Sequence, residues 1–209
     1  MPLPPPDTVA AADIDIVRRR LLAAAGGAAA LPLPAAWAGA PPIPTGRAMQ
    51  TAQAQDGRHD FDFYLGRWHV RNQRLKQRFV GIDEWETYEA TDESRPILGG
   101  LGSIDDCRTE HFGGGFRGMA IRIFDPKTRL WRAYWSSNRT GTLDPPVVGG
   151  FKDGIGTFYG IDKDGDRAVR VRCLWSEISA AHVKWEQAFS IDEGGTWETN
   201  LVMHMTRIG

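Results

Sequence analysis

The sequence predicts an all-β fold: an antiparallel up-and-down barrel of about 8–10 strands, preceded by a largely unstructured N-terminal leader. Three observations carry that expectation. From residue 65 onward the chain is a succession of short segments with alternating apolar residues. Short Asp- and Gly-rich connectors of hairpin type separate them, "DPKT" (125–128), "KDG" (152–154), "DKDGD" (162–166) and "DEGG" (192–195), because Asp and Gly take up turn dihedrals at little cost. No segment shows helical periodicity beyond two turns.

The pattern places strands at 66–77, 82–94, 97–109, 116–125, 129–138, 145–151, 155–162, 167–176, 181–191 and 196–207. Ten antiparallel strands with short connectors must close or split into two sheets, since an open twisted sheet leaves bare edges, and closure is the expected solution. Residues 1–56 are rich in Ala, Pro and Gly, and composition changes abruptly at "DGRHDFDF", so the barrel domain is assigned to 57–209 and the leader to 1–56. Within the leader, Arg18 and Arg19 precede a weakly apolar Ala/Gly tract and small-residue cleavage patterns, which resembles a twin-arginine export signal. Two locations stay open: exported, or cytoplasmic if translation starts at Met49. Pro32, Pro34 and low hydropathy argue against a stable membrane span.

A chain of 209 residues with 42% hydrophobic side chains suits one domain with a substantial core. Its 25 basic and 26 acidic residues give a net charge of -1 with no extended basic run, which excludes the electrostatic footprint of a nucleic-acid binder. Eight tryptophans and nine phenylalanines can line a cavity as well as fill a core, so the expected partner is a small hydrophobic or aromatic molecule, with a homodimer left open. Cys107 and Cys173 lack the close pairing of a zinc site, and their bonding state is open. No cofactor or metal is implied.

Alternation assigns the faces. In the last strand Trp197, Leu201, Met203 and Met205 point inward and His204 outward; before it Val183, Trp185, Gln187 and Phe189 point inward and His182 outward. Val169, Val171, Cys173 and Trp175 form another inward row. For residues 130–137 the row Trp131, Ala133, Trp135, Ser137 and its opposite are both admissible. From Trp68 the rule puts Val70, Asn72 and Arg74 inward; from Trp85 it gives Thr87, Glu89 and Thr91, and from Ile155 it gives Thr157 and Tyr159.

Gly66-x-Trp68 at the first strand, the meander of hairpins and Arg207 at the end of the last strand together resemble the calycin superfamily of lipocalins and fatty-acid-binding proteins. "FDFYLGRWHV", "LDPPVVGGFKDGIGTFYG" and "VKWEQAFSIDEGGTWETN" are similar to a group of small bacterial calycin-like proteins of unknown function. The resemblance implies a barrel closed by Gly66, Trp68 and Arg207, the cation packing across the indole. "SIDEGGTW" (190–197) also fits the Asp-box pattern, a hairpin stabilised by its Asp, and a single copy implies no propeller.

On this reading the ligand meets Trp68, Asn72, Trp85, Trp135, Trp175, Trp185, Gln187 and Met203, an apolar lining with a polar minority. Arg74 could hold a carboxylate or enolate, Glu89 exchange a proton and Tyr159 donate to an oxyanion, the set a cofactor-independent isomerase, cyclase or hydratase/lyase would need. Carriage without catalysis, or a filled structural barrel, are the alternatives, and the interior volume separates them. Haem is disfavoured because His204, the counterpart of the ligating His in nitrobindin-type barrels, faces outward. "HFGGGFRG" (111–118) and "NRTGTLDPPV" (138–147) are expected as flaps at the barrel mouth.

Overall fold

The computed structural model describes residues 56–81 and 83–209; the leader and the export-signal pattern lie outside the described residues. Ten strands follow in chain order: β1 (Gly66–Leu75), β2 (Trp85–Ile97), β3 (Gly102–Thr109), β4 (Phe116–Asp125), β5 (Leu130–Ser137), β6 (Val147–Lys152), β7 (Ile155–Asp164), β8 (Arg167–Ser176), β9 (His182–Ser190) and β10 (Glu198–Arg207). Each pairs antiparallel with its sequence neighbour, and β1 pairs with β10, which closes the barrel and leaves no bare edge. The all-β, antiparallel barrel is thus as the alternation predicts. The turn between β2 and β3 comes later than expected, because Pro96 sits inside β2 at an exposed position and a 3-10 turn at Leu98–Gly100 reverses the chain instead. Among the described residues no helix is long and apolar enough to cross a membrane.

One end of the barrel is closed. A short 3-10 helix (Asp62–Tyr64) lays Phe61 and Tyr64 across the opening, and both are buried. Phe61 meets Trp131, Phe151 and Trp175 edge-on at ring separations of 4.9, 5.0 and 5.4 Å, and Tyr64 stacks on Trp68 at 5.5 Å. Such pairs add about 0.5–1.5 kcal/mol each beyond the area they bury. The Trp131 indole donates to the Gly57 carbonyl (2.9 Å), tying the approach segment to the wall.

Trp68 is fully buried and donates to the Tyr64 carbonyl at 2.8 Å. Its partner in the β1–β10 register is Arg207, whose guanidinium lies 4.2 Å from the indole centroid and donates to the carbonyls of Leu65 (2.6 Å), Phe63 (2.5 Å) and Ala180 (2.6 Å). Gly66 must be glycine: its φ is +113°, and a Cβ there would stand 2.6 Å from Arg207 Nη1.

Loops cross the opposite end, which the sequence leads one to expect as the mouth. On its β7–β10 side the β1–β2 loop folds inward: the Phe79 amide donates to the Glu198 carboxylate (2.9 and 3.0 Å), and Arg78 pairs with Asp164 (2.7 Å). On the other side the Gly-rich loop after β3 is held by the β5–β6 connection, through Arg139 to the Phe112 carbonyl (2.5 Å) and Asn138 to the Gly115 carbonyl (3.1 Å).

Candidate functional site

The inner wall of the barrel differs from the expected one on three strands. On β2 the inward row is Glu86, Tyr88, Ala90, Asp92 and Ser94, of which Ala90, Asp92 and Ser94 are buried, so Glu89 faces out, half exposed and 3.3 Å from His69. Trp85 shares that outward row, its indole donating to Asp83. On β7 the inward row is Gly156, Phe158 and Gly160, so Tyr159 is 40% exposed on the outer wall beside Trp197. On β10 a bulge between Thr199 and Leu201 reverses the alternation, which turns Glu198 inward and Trp197 outward, against Arg172. Arg74, Glu89 and Tyr159 therefore do not converge. Arg74 stays on the inner row at the mouth, where Nε donates to Glu86 Oε1 (2.6 Å) and the guanidinium lies 4.7 Å from the Phe112 ring.

In the closed half the walls of β2, β3 and β4 carry a polar patch that alternation alone did not single out. Cross-strand register places Asp92 beside Cys107, Ser94 beside Asp105 and Ser103 beside Arg122, all buried. Arg122 donates to Asp105 (2.7 Å) and sits over three rings, 4.9 Å from Tyr64 and 5.3 Å from Phe61 and from Trp175. The other Asp105 oxygen accepts the Ala120 amide at 2.6 Å, so each oxygen of this carboxylate has a donor. Asp92 is less well supported, its Oδ1 having no hydrogen-bond partner. Burial, with the Asp105 charge beside it, raises its carboxyl from 3.8 to about 7, although Arg122 and a hydrogen bond with Tyr64 pull the other way. Burial likewise pushes the Cys107 thiol up to about 12, and both cysteines are free.

Four atoms of this patch have no hydrogen-bond partner: Asp92 Oδ1, Ser94 Oγ, Ser103 Oγ and Arg122 Nη1. An unpaired buried polar atom costs about 1–3 kcal/mol, so four on adjacent positions concentrate an unusual local cost in this wall.

Toward the mouth the inner wall is made of small residues on one side and large ones on the other. Ala90, Cys107, Gly118, Ala120 and Ala133 are the small inward residues of β2–β5, while β1, β9 and β10 contribute the larger Asn72, Trp185 and Met203. The open parity of β5 resolves as Trp131, Ala133, Trp135, Ser137 inward: the Trp135 ring lies where a Gly118 side chain would be, 2.3 Å from its ideal Cβ. Trp135 is nevertheless 40% exposed. Trp185, Gln187 and Met203 are also inward and only partly buried. Trp68 and Trp175 belong to the packed closed end, and the Asn72 amide is taken up by the Val70 and Tyr88 carbonyls (3.3 and 3.4 Å).

The rim is an aromatic and charged cluster. Tyr88 stacks on His111 at 4.5 Å, Phe112 packs edge-on against Tyr88 at 5.1 Å, and His111 Nε2 lies 3.2 Å from Glu86 Oε2. A separate groove of about 330 Å³ crosses the outer wall over β2–β5, lined by Glu93, Arg95, Ile104, Asp106, Arg117 and Met119 among others; its side chains are mostly those of the outward rows.

No protein-family model matches the sequence, and no curated protein matches it significantly. Among solved structures the fold is similar to that of an S-type phycobiliprotein lyase from Guillardia theta, with a TM-score of 0.49 and 9% sequence identity over 74% of this chain and 96% of that one.

Proposed function

We propose that the barrel takes a small, partly aromatic molecule through its mouth, lays it against Trp135, Trp185 and Met203, and seats a polar end on the Asp92–Arg122 wall. The observation that carries this reading is the row of unpartnered buried atoms on Asp92, Ser94, Ser103 and Arg122, deep to a wall of small residues. A carboxyl near neutrality beside a fixed guanidinium offers both a donor and an acceptor, which suits a carbonyl, hydroxyl or carboxyl end group. Carriage is favoured over the Arg74–Glu89–Tyr159 chemistry because two members of that set lie on the outer wall.

The test is fluorescence titration with 8-anilinonaphthalene-1-sulfonate, an aromatic anionic probe. One saturable site is expected, abolished by Ala120→Phe, which adds a ring to the inner wall beside Trp135, while the fold is checked by circular dichroism. Undiminished binding to a folded Ala120→Phe protein would place the probe elsewhere and defeat the reading. Native mass spectrometry of protein from its own host would then give the mass of the retained ligand.

A second reading rests on Asp92 itself, whose carboxyl at about 7 has the protonation behaviour of a general acid or base. Cofactor-independent isomerase, cyclase or lyase chemistry would centre there. With a retained ligand identified, Asp92→Asn should then bind it and fail to turn it over.

A further inference from the structure

On the outer wall, away from the ligand path, the β8–β9 turn and two strands gather Glu177, His182 and His204. One ligand atom from each lies within 4.8 Å of the other two. The β9–β10 register produces the pairing: Thr206 stands opposite His182 and His204 opposite Lys184, so the two imidazoles are diagonal neighbours on one face, with ring centroids 6.0 Å apart. Glu177 Oε2 is 4.0 Å from His182 Nδ1. The turn between them is fixed by its own hydrogen bonds, Ser179 N to the His182 carbonyl (2.8 Å) and His182 N to Ser179 Oγ (2.9 Å).

We propose that Glu177, His182 and His204 bind a divalent late transition-metal ion, Zn²⁺ being the best fit. Two imidazole nitrogens with one carboxylate oxygen and a fourth position open to water form a tetrahedral set at about 2.0–2.2 Å per bond. Closing to that geometry requires only side-chain rotation, since all three groups are at least partly exposed. The nitrogen ligands exclude Mg²⁺ and Ca²⁺, which select oxygen. Two cations stand near His204, Lys184 opposite it on β9 and Arg71 opposite it on β1; Lys184 is engaged by Glu186 at 3.1 Å, and Arg71 is exposed. Arg207 donates to the Ala180 carbonyl in the same turn, so a bound ion would brace the turn that helps hold the closed end.

The site is tested on the full-length, untagged chain, in which His69 on β1 also stands opposite Thr206 and so flanks the pair. Titration with Zn²⁺ against a chromophoric chelator should give one equivalent, and Co²⁺ should show the visible bands of tetrahedral coordination. His182→Ala, His204→Ala and Glu177→Gln should each weaken binding by more than about tenfold. His111→Ala, in the loop after β3 and stacked on Tyr88, should leave it unchanged. Absence of Zn²⁺ binding by the unaltered protein, or unchanged affinity in the folded His182→Ala/His204→Ala double variant, would overturn the proposal.

Discussion

Arg122 is the residue on which the closed half of the interior depends. Its guanidinium is the cation that faces both Asp105 and Asp92, and removing one partner of a buried ion pair typically costs about 3–5 kcal/mol because the other charge stays behind. Arg122→Met is expected to destabilise the protein by that amount in urea unfolding, and adding Asp105→Asn should recover part of the loss. Asp92 makes the opposite kind of prediction. Its folded carboxyl titrates at about 7 against an ordinary 3.8, so between those values the folded protein holds a proton that the unfolded chain has released. Stability should therefore fall as pH rises from about 4 to about 7, by up to about 4 kcal/mol. Asp92→Asn should flatten that slope and be the more stable protein above neutrality. The residues behind both effects were hard to read in the sequence. In "WETYEATDES" the two alternations are nearly balanced in apolar content, and Trp85 tips the choice toward the wrong one. What settles it is Arg122, two strands away, which makes an inward Asp92 tolerable.

At the scale of elements, hairpin chemistry was the most legible part of the chain. In "SIDEGGTW" the Asp192 carboxylate accepts from Thr196 N (2.8 Å), Thr196 Oγ1 (2.7 Å) and Ser190 Oγ (2.7 Å), which holds its carboxyl down at about 2. Asp192→Ala should lower the melting temperature at neutral pH. Because the folded group titrates below the unfolded one, that difference should vanish as pH falls from about 4 to about 2, as a calorimetric pH series would show. The closing motif predicts a second ordering. Gly66→Ala should cost about 1–3 kcal/mol for its backbone alone. Arg207→Met should cost about 2–4 kcal/mol by leaving three carbonyls without their charged donor. Face assignment failed where strands are irregular or their neighbours intrude. The β10 bulge reversed Trp197, and on β7 glycines face inward because Phe151 already occupies the space, 2.6 Å from an ideal Gly156 Cβ. With Phe158 and Tyr159 adjacent, nothing local says which ring goes in.

For the whole molecule, barrel closure was legible because it follows from strand number and connector length, whereas the polar wall and the histidine pair depend on register between strands. A barrel whose first strand pairs with its last has no independent half, so unfolding should be one cooperative event. Far-ultraviolet circular dichroism, which follows the strands, and tryptophan fluorescence, which follows Trp68, Trp131 and Trp175 at the closed end and Trp135 at the mouth, should give coincident urea transitions. The same closure sets a condition on synthesis. β1 leaves the ribosome first of the ten strands yet waits for β10 to cover its far edge, so it spends the longest time with half its backbone groups unclaimed. Its outward row over that interval is Arg67, His69 and Arg71, all exposed in the finished protein. Charge on a waiting edge discourages strands of other chains from pairing with it, so this row protects the nascent chain from aggregation before it contributes anything to the folded one.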